Sequence, residues 1–291
     1  MKILNALSTL FLFLFIVSCS SDSDSNEIDN KDSFLYKFEN QDVNISNWTA
    51  LRSENTMEVL GTTDNGDSFG VQFNVYGNLG SATALANESG SGGFPNSYWA
   101  FEYFKSNYFN FELIGIDEAN KRVAAKFSGN LYEDEYDIDS ETRYAEGSFN
   151  VEYREIMPQI SGLEVSAVVD GNNWYATSSS SSGGFAGSPR SYNHYSDNAY
   201  SISYVIIYGD VDSIGSFQFD ENSTYNKISF SRYDPSTGEF IEYKTSGIFK
   251  IDEHLTGFGI NQIKGSFSLT AVNGNETIEI TDGYINDVYP F

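Results

Sequence analysis

The chain has 291 residues, of which 16% are aromatic and only 5 are proline. This length exceeds the usual size of one domain and the aromatic content exceeds that of a disordered chain, so we expect two folded domains. Acidic residues outnumber basic residues by 41 to 16, which gives a formal net charge of −25. Such a charge repels nucleic acids and argues against them as partners.

Residues 1–18 have the layout of a secretion signal, with Lys2 followed by the apolar run "ILNALSTLFLFLFIV". The stretch "IVSC", from Ile16 to Cys19, resembles the bacterial lipobox. The resemblance implies that the cysteine is diacylated, with chains such as palmitate, that the chain is cleaved in front of it, and that its new amino group is acylated as well. Two or three acyl chains attach a protein stably to a membrane. We expect a lipid anchor at Cys19, the only cysteine of the chain. A plain secretion signal with an incidental cysteine is the alternative.

Residues 19–33 are polar and acidic and contain no aromatic residue, so they should form a flexible tether. Their "SSDSDS" run, directly behind Cys19, resembles the acidic export signal of Bacteroidetes-type surface lipoproteins. The resemblance implies an outer-membrane protein that faces the cell exterior. An acidic linker that does not act as an export signal is the alternative.

Alternation of apolar and polar residues recurs from Phe34 onward, and this period of two is typical of strands with one buried face. In "SFGVQFNVY" the apolar face begins at Phe69, and in "YSISYVIIY" it begins at Tyr200. Polar turn sequences such as "TDNGDS" and "DPSTGE" separate the runs. We therefore predict an all-β fold of two tandem, similar antiparallel β-sandwich domains, with a barrel-like arrangement as the alternative.

Two sequence segments of the first half recur in the second half, which suggests that one domain is duplicated. "VNISNWTA" at 43–50 repeats its Val, Asn, Trp and Ala in "VDGNNWYA" at 169–176, and "EGSFNVEY" at 146–153 matches "DGYINDVY" at 282–289. Pro158 interrupts strand pairing between the copies. We therefore expect a first β domain over 34–157 and a second over 158–291, with Trp48 and Trp174 as equivalent core anchors.

Three motifs in the second half resemble an uncharacterised family of Bacteroidetes lipoprotein domains. They are "DGNNWYA" at 170–176, "IKGSFSLTAVN" at 263–273 and "ITDGYI" at 280–285. The resemblance implies surface location and an all-β domain. That family has no established activity, so no catalytic residue follows from it.

Enzymatic motifs are missing from the sequence. The only histidines, His194 and His254, form no H-x-x-x-H pair, and no Gly-x-Ser-x-Gly elbow or phosphate loop occurs. We expect His194 in a loop and His254 in a turn. The many carboxylates allow a glycoside hydrolase only as a third hypothesis. A protein without catalytic activity is therefore expected.

The densest acidic stretch is "EDEYDIDSE", from Glu133 to Glu141. If this stretch is extended, five carboxylates share one face, and calcium would relieve their repulsion. A solvated hairpin loop without any ion is the alternative. The candidate calcium ligands are Glu133, Glu135, Asp137, Asp139 and Glu141.

Exposed aromatic rings would form platforms on which a sugar ring can stack. Ser/Gly-rich runs at 87–98 and 178–192 predict long flexible loops, where binding residues are often located. Glycan binding is the leading functional hypothesis, and a structural or adhesive protein that binds other envelope proteins is the alternative. Burial of Trp99, Phe101 and Tyr103 in the core is the alternative to their exposure. The candidate stacking residues are Trp99, Phe101, Tyr103, Tyr192 and Tyr195.

Overall fold

The computed structural model describes residues 30–86, 96–183, 185–208, 214–257 and 260–290. The secretion signal, Cys19 and residues 19–29 of the tether lie outside these ranges, as do residues 87–95 of the first Ser/Gly run. The strands in chain order are β1 Ser33–Phe38, β2 Gln41–Val43, β3 Asn47–Ser53, β4 Thr56–Thr62, β5 Ser68–Asn74, β6 Leu79–Ala86, β7 Asn96–Trp99, β8 Phe109–Asp117, β9 Arg122–Tyr132, β10 Thr142–Glu152, β11 Arg154–Glu155, β12 Glu164–Val169, β13 Asn172–Tyr175, β14 Ser178–Gly183, β15 Pro189–Tyr195, β16 Tyr200–Ile207, β17 Gly215–Phe219, β18 Lys227–Asp234, β19 Glu239–Glu242, β20 Lys244–Gly257, β21 Ile260–Asn273 and β22 Glu276–Pro290.

Helical structure in these ranges is limited to a 3-10 turn at Glu102–Phe104 and a one-turn helix α1 at Lys105–Tyr108. No helix in the described ranges is long and apolar enough to cross a membrane. The prediction of an all-β protein is confirmed. The alternation that predicted it is seen directly, because Phe69, Val71 and Phe73 of β5 are buried while Gln72 is exposed.

The first unit, β1 to β11, consists of one continuous sheet that folds over on itself. Its order is β11-β3-β4-β5-β6-β7-β9-β10-β1-β2, with β8 paired to β9, and all pairs except β11 with β3 are antiparallel. The two layers meet through aromatic rings. Phe69 of β5 stacks on Phe127 of β9 at 4.3 Å between ring centroids, and Phe73 of β5 packs on Phe111 of β8 at 4.7 Å.

The second unit, β12 to β22, contains two separate sheets. Six strands in the order β13-β12-β22-β21-β20-β17 face five strands in the order β14-β15-β16-β18-β19. Tyr192 of β15 packs on Tyr289 of β22 with ring centroids 4.4 Å apart, and Trp174 is buried in the same core. No sheet in the described ranges closes into a barrel, so the layered sandwich is the observed arrangement.

Each unit opens with a hairpin of the same geometry. A two-residue turn begins at Glu39 between β1 and β2, and another begins at Asp170 between β12 and β13; both residues have positive φ. The backbone N–H of Glu39 donates to the carbonyl of Tyr144, and the carboxylate of Glu39 accepts from the N–H of Tyr144. Asp170 makes the same two hydrogen bonds with Glu279.

These hairpins correct the register of the repeated phrase. They align Val43 with Trp174, because Val43 and Trp174 hold the same position after the turn. The phrase had aligned Trp48 with Trp174 instead. Trp174 is 1% exposed, whereas Trp48 is 37% exposed, so the prediction that Trp48 is a core anchor is wrong.

A phenylalanine opposite a glycine occurs at matching places in the two units. Phe127 of β9 is the cross-strand partner of Gly147 of β10, and Phe267 of β21 is the partner of Gly283 of β22. A methyl group on Gly283 would overlap the ring of Phe267, and one on Gly147 would overlap both the ring of Phe127 and the backbone of β1. Gly147 and Gly283 therefore hold equivalent places in the two units, and these are the positions that the match of "EGSFNVEY" with "DGYINDVY" pairs.

The two units meet in a third apolar cluster of their own. Phe101 of the first unit is fully buried, and its ring centroid lies 5.4 Å from that of Tyr233 in β18. Asp197 of the second unit accepts hydrogen bonds from the Asn78 side chain and the Leu79 N–H of the first. We call this cluster, with Tyr103, Phe104, Tyr108, Tyr132, Ile138, Ala199 and Phe240, the junction cluster.

Both histidines lie on strands rather than in a loop or a turn, so those two predictions are wrong. His194 of β15 is 3% exposed, and its Nε2 lies 3.2 Å from Oδ2 of Asp287. His254 of β20 is 6% exposed, and its Nε2 contacts the hydroxyl of Tyr289. The local sequence does not show that each imidazole points into the core, because His254 is followed by the exposed apolar Leu255 and His194 by the half-buried Tyr195.

Candidate functional site

The outer face of the β14-β15-β16-β18-β19 sheet is covered by small hydroxyl side chains. Ser203 of β16 is the cross-strand partner of Asn193 on one side and of Ser229 on the other. In the next row, Ser201 lies between Tyr195 and Ser231. Strands favour Thr over other hydroxyl residues, so a face made of Ser is not what strand formation alone would select.

These side chains enclose a shallow cleft of about 310 Å³, which we call the serine cleft. Because serine side chains are short, a ligand in the cleft can approach the sheet closely. The lining residues are Ser191, Asn193, Tyr195, Ser201, Ser203, Ser229, Ser231, Phe240 and Glu242.

Hydrogen bonds within the cleft hold Asn193 in one orientation. Its Oδ1 accepts from the hydroxyls of Ser191 at 2.7 Å and Ser203 at 2.8 Å, and its Nδ2 donates to Ser180 at 3.4 Å. The hydroxyl of Ser180 lies 3.3 Å from that of Tyr195. This network fixes polar groups on three strands, which reduces the ordering that a bound ligand would require.

Two further hydroxyls on the floor remain available to a ligand. Those of Ser229 and Ser231 make no hydrogen bond to any described part of the chain. Each hydroxyl can both donate and accept. The floor therefore offers hydrogen-bonding groups to a ligand that carries hydroxyls of its own.

One wall of the cleft is aromatic. The rings of Tyr195 and Phe240 have centroids 5.9 Å apart, and both are half-buried. Tyr103 of the first unit supports them, since its ring lies 5.5 Å from Tyr195 and meets Phe240 edge-on at 5.0 Å. Tyr136, 57% exposed, extends this aromatic surface beyond Tyr103 at 5.6 Å. The wall therefore requires both units.

Among the residues that the structure describes, Glu242 is the only charged one that lines the cleft. Its Cα partner is Ser231, which places its carboxylate at the rim of the floor. Desolvation by the surrounding protein raises the pKa of Glu242 above its ordinary value, and the positive charge of Lys227 opposes this shift.

The structure brings two of the predicted stacking residues together, Tyr103 and Tyr195. Phe101 is fully buried in the junction cluster, and Tyr192 is 3% exposed in the core of the second unit. Neither ring offers a face to a ligand in solution, so we remove both from the set. Trp99 is half-buried on β7 and does not line the serine cleft.

The acidic stretch forms a turn-rich loop between β9 and β10 rather than an extended face. The Oδ1 of Asp134 accepts from the N–H of Tyr136, and that of Asp137 accepts from the N–H of Asp139. In the described ranges no three His, Cys, Asp or Glu side chains converge as around a metal ion. The five predicted calcium ligands, Glu133, Glu135, Asp137, Asp139 and Glu141, therefore do not gather at one point.

Sequence reasoning missed the floor of the cleft because it assigned the run at 178–192 to a flexible loop. That prediction is wrong: Ser178–Gly183 is strand β14, paired along its length with β15. Serine at alternate positions of β16 and β18 was the available signal. It shows only which residues share a face, and the sheet order brings them together.

Comparisons with known proteins give no identity to this arrangement: no family model, no curated protein and no solved structure matches the chain.

Proposed function

We propose that the chain is a non-catalytic surface protein, held to the outer membrane by lipid at Cys19, that binds neutral glycans in the serine cleft. One observation supports this proposal above the others. The cleft combines a floor of small hydroxyl and amide groups with a half-buried aromatic wall. A pyranose ring needs both, because its edge carries hydroxyls while its face is apolar.

The floor of the serine cleft consists of paired strands, and its regularly spaced polar groups suit an extended ligand with repeating units. The floor residues stand on neighbouring strands, which are about 4.8 Å apart. Because the strands hold their positions, little conformational entropy is lost when a ligand binds. A neutral glycan also avoids the repulsion that a chain of net charge −25 exerts on anions.

Affinity electrophoresis of the full chain in mild detergent tests the proposal. The protein is run through gels that contain a glucan, a mannan or a galactan, each with calcium and with a chelator. Retardation by at least one glycan should disappear in Tyr195→Ala and in Ser229→Gln, which fills the floor. Ser268→Gln, on an exposed position of the other sheet, should behave like the wild type.

The outcomes separate the hypotheses. Retardation that survives Tyr195→Ala would place glycan binding elsewhere. Absence of retardation in every gel would contradict glycan binding and favour an adhesive protein. A change with the chelator would support calcium at the acidic loop.

The lipid anchor rests on the sequence alone and needs its own test. Labelled palmitate should be incorporated into the wild type and not into Cys19→Ala. Protease added to intact cells should degrade the anchored protein if it faces the exterior.

A further inference from the structure

A second concave surface lies on the first unit, on the outer face of β8, β9, β10, β1 and β2. It encloses about 830 Å³, within the range of roughly 300–1,000 Å³ that is usual for small-molecule sites. It shares no residue with the serine cleft. We call it the first-unit groove.

One row of side chains crosses the groove at right angles to the strands. Strand register places Glu112 of β8 opposite Lys126 of β9, then Ser148 of β10, then Leu35 of β1. Leu35 is 66% exposed. An apolar side chain therefore lies two strands from Lys126 and three strands from Glu112, in the same row.

The charges in this row are not paired with each other. In the adjacent row, Lys37 and Glu146 form an ion pair at 3.0 Å, so their charges are satisfied within the protein. Glu112 and Lys126 make no ion pair or hydrogen bond with any described residue, although they face each other across β8 and β9. Within this row, the unpaired carboxylate of Glu112 thus lies beside the unpaired ammonium group of Lys126.

The second unit shows that the fold does not require these residues. The four strands of the groove row, β8, β9, β10 and β1, correspond to β20, β21, β22 and β12 of the second unit, which pair in the same order. Phe249 opposite Phe267 in the second unit corresponds to Phe111 opposite Phe127 in the first. In that frame the second unit has Lys250 where the first has Glu112. Ser266 and Ser166 likewise replace Lys126 and Leu35. The charged pair and the exposed leucine belong to the first unit alone.

We propose that the first-unit groove binds an apolar α-amino acid. Its carboxylate would pair with Lys126 and its ammonium group with Glu112, and its side chain would pack on Leu35. An α-amino acid carries its ammonium group on the α-carbon and its carboxylate on the next atom, so its two charges lie close together. Glu112 and Lys126 are direct cross-strand partners, so their opposite charges lie close together as well. Oppositely charged contacts of this kind are the stronger class of hydrogen bond. Because both protein charges are exposed, we expect weak affinity, with a Kd on the order of 1 mM.

NMR chemical-shift titration of the full chain in detergent suits such an affinity. L-phenylalanine should shift the signals of Leu35 and Lys126. N-acetyl-phenylalanine lacks the ammonium group and phenylalaninamide lacks the carboxylate, so each should bind about tenfold more weakly. Alanine, which lacks the large side chain, should also bind more weakly.

Two variants assign the contact. Lys126→Gln should make phenylalanine and phenylalaninamide bind equally, since the carboxylate no longer has a partner. Lys250→Gln removes a lysine from the matching face of the second unit and should leave every affinity unchanged. Thermal melting of both variants should match the wild type, because both lysines are exposed.

The proposal is overturned if phenylalanine shifts no groove signal, or if its capped forms bind as well as it does. It is also overturned if neutral oligosaccharides shift the same signals more strongly, which would make the groove a glycan site.

Discussion

The hydroxyl of Tyr204 donates to Oδ2 of Asp287 at 2.8 Å, at the edge of the second-unit core. Nε2 of His194 lies 3.2 Å from the same oxygen. Burial alone would raise the pKa of Asp287, but the contacts with His194 and Tyr204 outweigh it and hold the pKa below its ordinary value. This carboxylate therefore stabilises the folded chain when it is ionised.

The stability of the second unit should fall in acid because of Asp287. An ordinary aspartate has a pKa near 3.8, and a lowered pKa in the folded state means that the unfolded chain binds the proton first. The stabilisation is present above about pH 4 and is lost as the pH falls through the folded value. Asp287→Asn should cost about 2 kcal/mol at neutral pH and flatten the acid limb of urea unfolding.

Asp282→Asn serves as the control for that measurement, because Asp282 lies on the same strand but is exposed. It should change neither the midpoint nor the pH dependence. An acid limb that is equally steep in wild type and Asp287→Asn would contradict the role of this carboxylate.

Gly147→Ala should destabilise the first unit by roughly 1–3 kcal/mol, as overpacking does. The added methyl group would overlap the carbonyl of Leu35, which belongs to the backbone of a paired strand and cannot move aside. Gly70→Ala is the matched control, since its nearest neighbour is the side-chain end of Leu60, at 3.3 Å. Thermal unfolding compares the two; equal melting temperatures would show that β10 and β1 can separate without cost.

Glu242→Gln should relax discrimination against acidic glycans. Among the described residues, Glu242 contributes the only charge that lines the serine cleft. Its carboxylate repels the carboxylate of a uronate, whereas a neutral sugar meets no such repulsion. Polygalacturonate should retard the variant more than the wild type, while retardation by a neutral glycan changes little. Glu239→Gln, an exposed position on the same strand, should match the wild type.

In weakly acidic buffer the wild type should approach the behaviour of Glu242→Gln. The pKa of Glu242 is raised, so this carboxylate is neutralised at a higher pH than an ordinary glutamate. If polygalacturonate retards wild type and variant equally at neutral pH, Glu242 does not set the specificity.

Lys105→Ala should weaken both the junction and the aromatic wall. Lys105 is fully buried, and its Nζ lies 2.9 Å from the carboxylate and 2.9 Å from the carbonyl of Glu102. Removing it leaves a largely buried carboxylate without its cation, which should cost about 3 kcal/mol. Because Tyr103 lies between these residues, glycan retardation should also decrease.

Lys244→Ala is the control, because the Lys244–Glu221 ion pair is exposed, so water screens it and its loss should change stability little. Urea unfolding measures both variants. If Lys105→Ala is as stable as Lys244→Ala, the buried pair is not needed to hold the junction.

Local pattern was sufficient for the strands and turns. "TDNGDS" and "DPSTGE" do connect β4 to β5 and β18 to β19, and the buried faces of β5 and β16 fall on the predicted residues. Alternation and turn chemistry act over a few neighbouring residues, so a single sequence reveals them. The sandwich class followed from the number and spacing of such strands.

Local sequence patterns did not show which strands pair with each other. Trp48 and Trp174 stand in similar phrases, yet one is exposed and the other buried, because a strand's buried face depends on which strands pair with it. Tyr195, Phe240 and Tyr103 come from three distant segments, and only sheet order and the junction bring them together. The amino-acid pattern thus decides which residues share a face, since that is a local property of the backbone. Which faces meet is a property of the whole folded chain, so the serine cleft and the first-unit groove exist only in three dimensions.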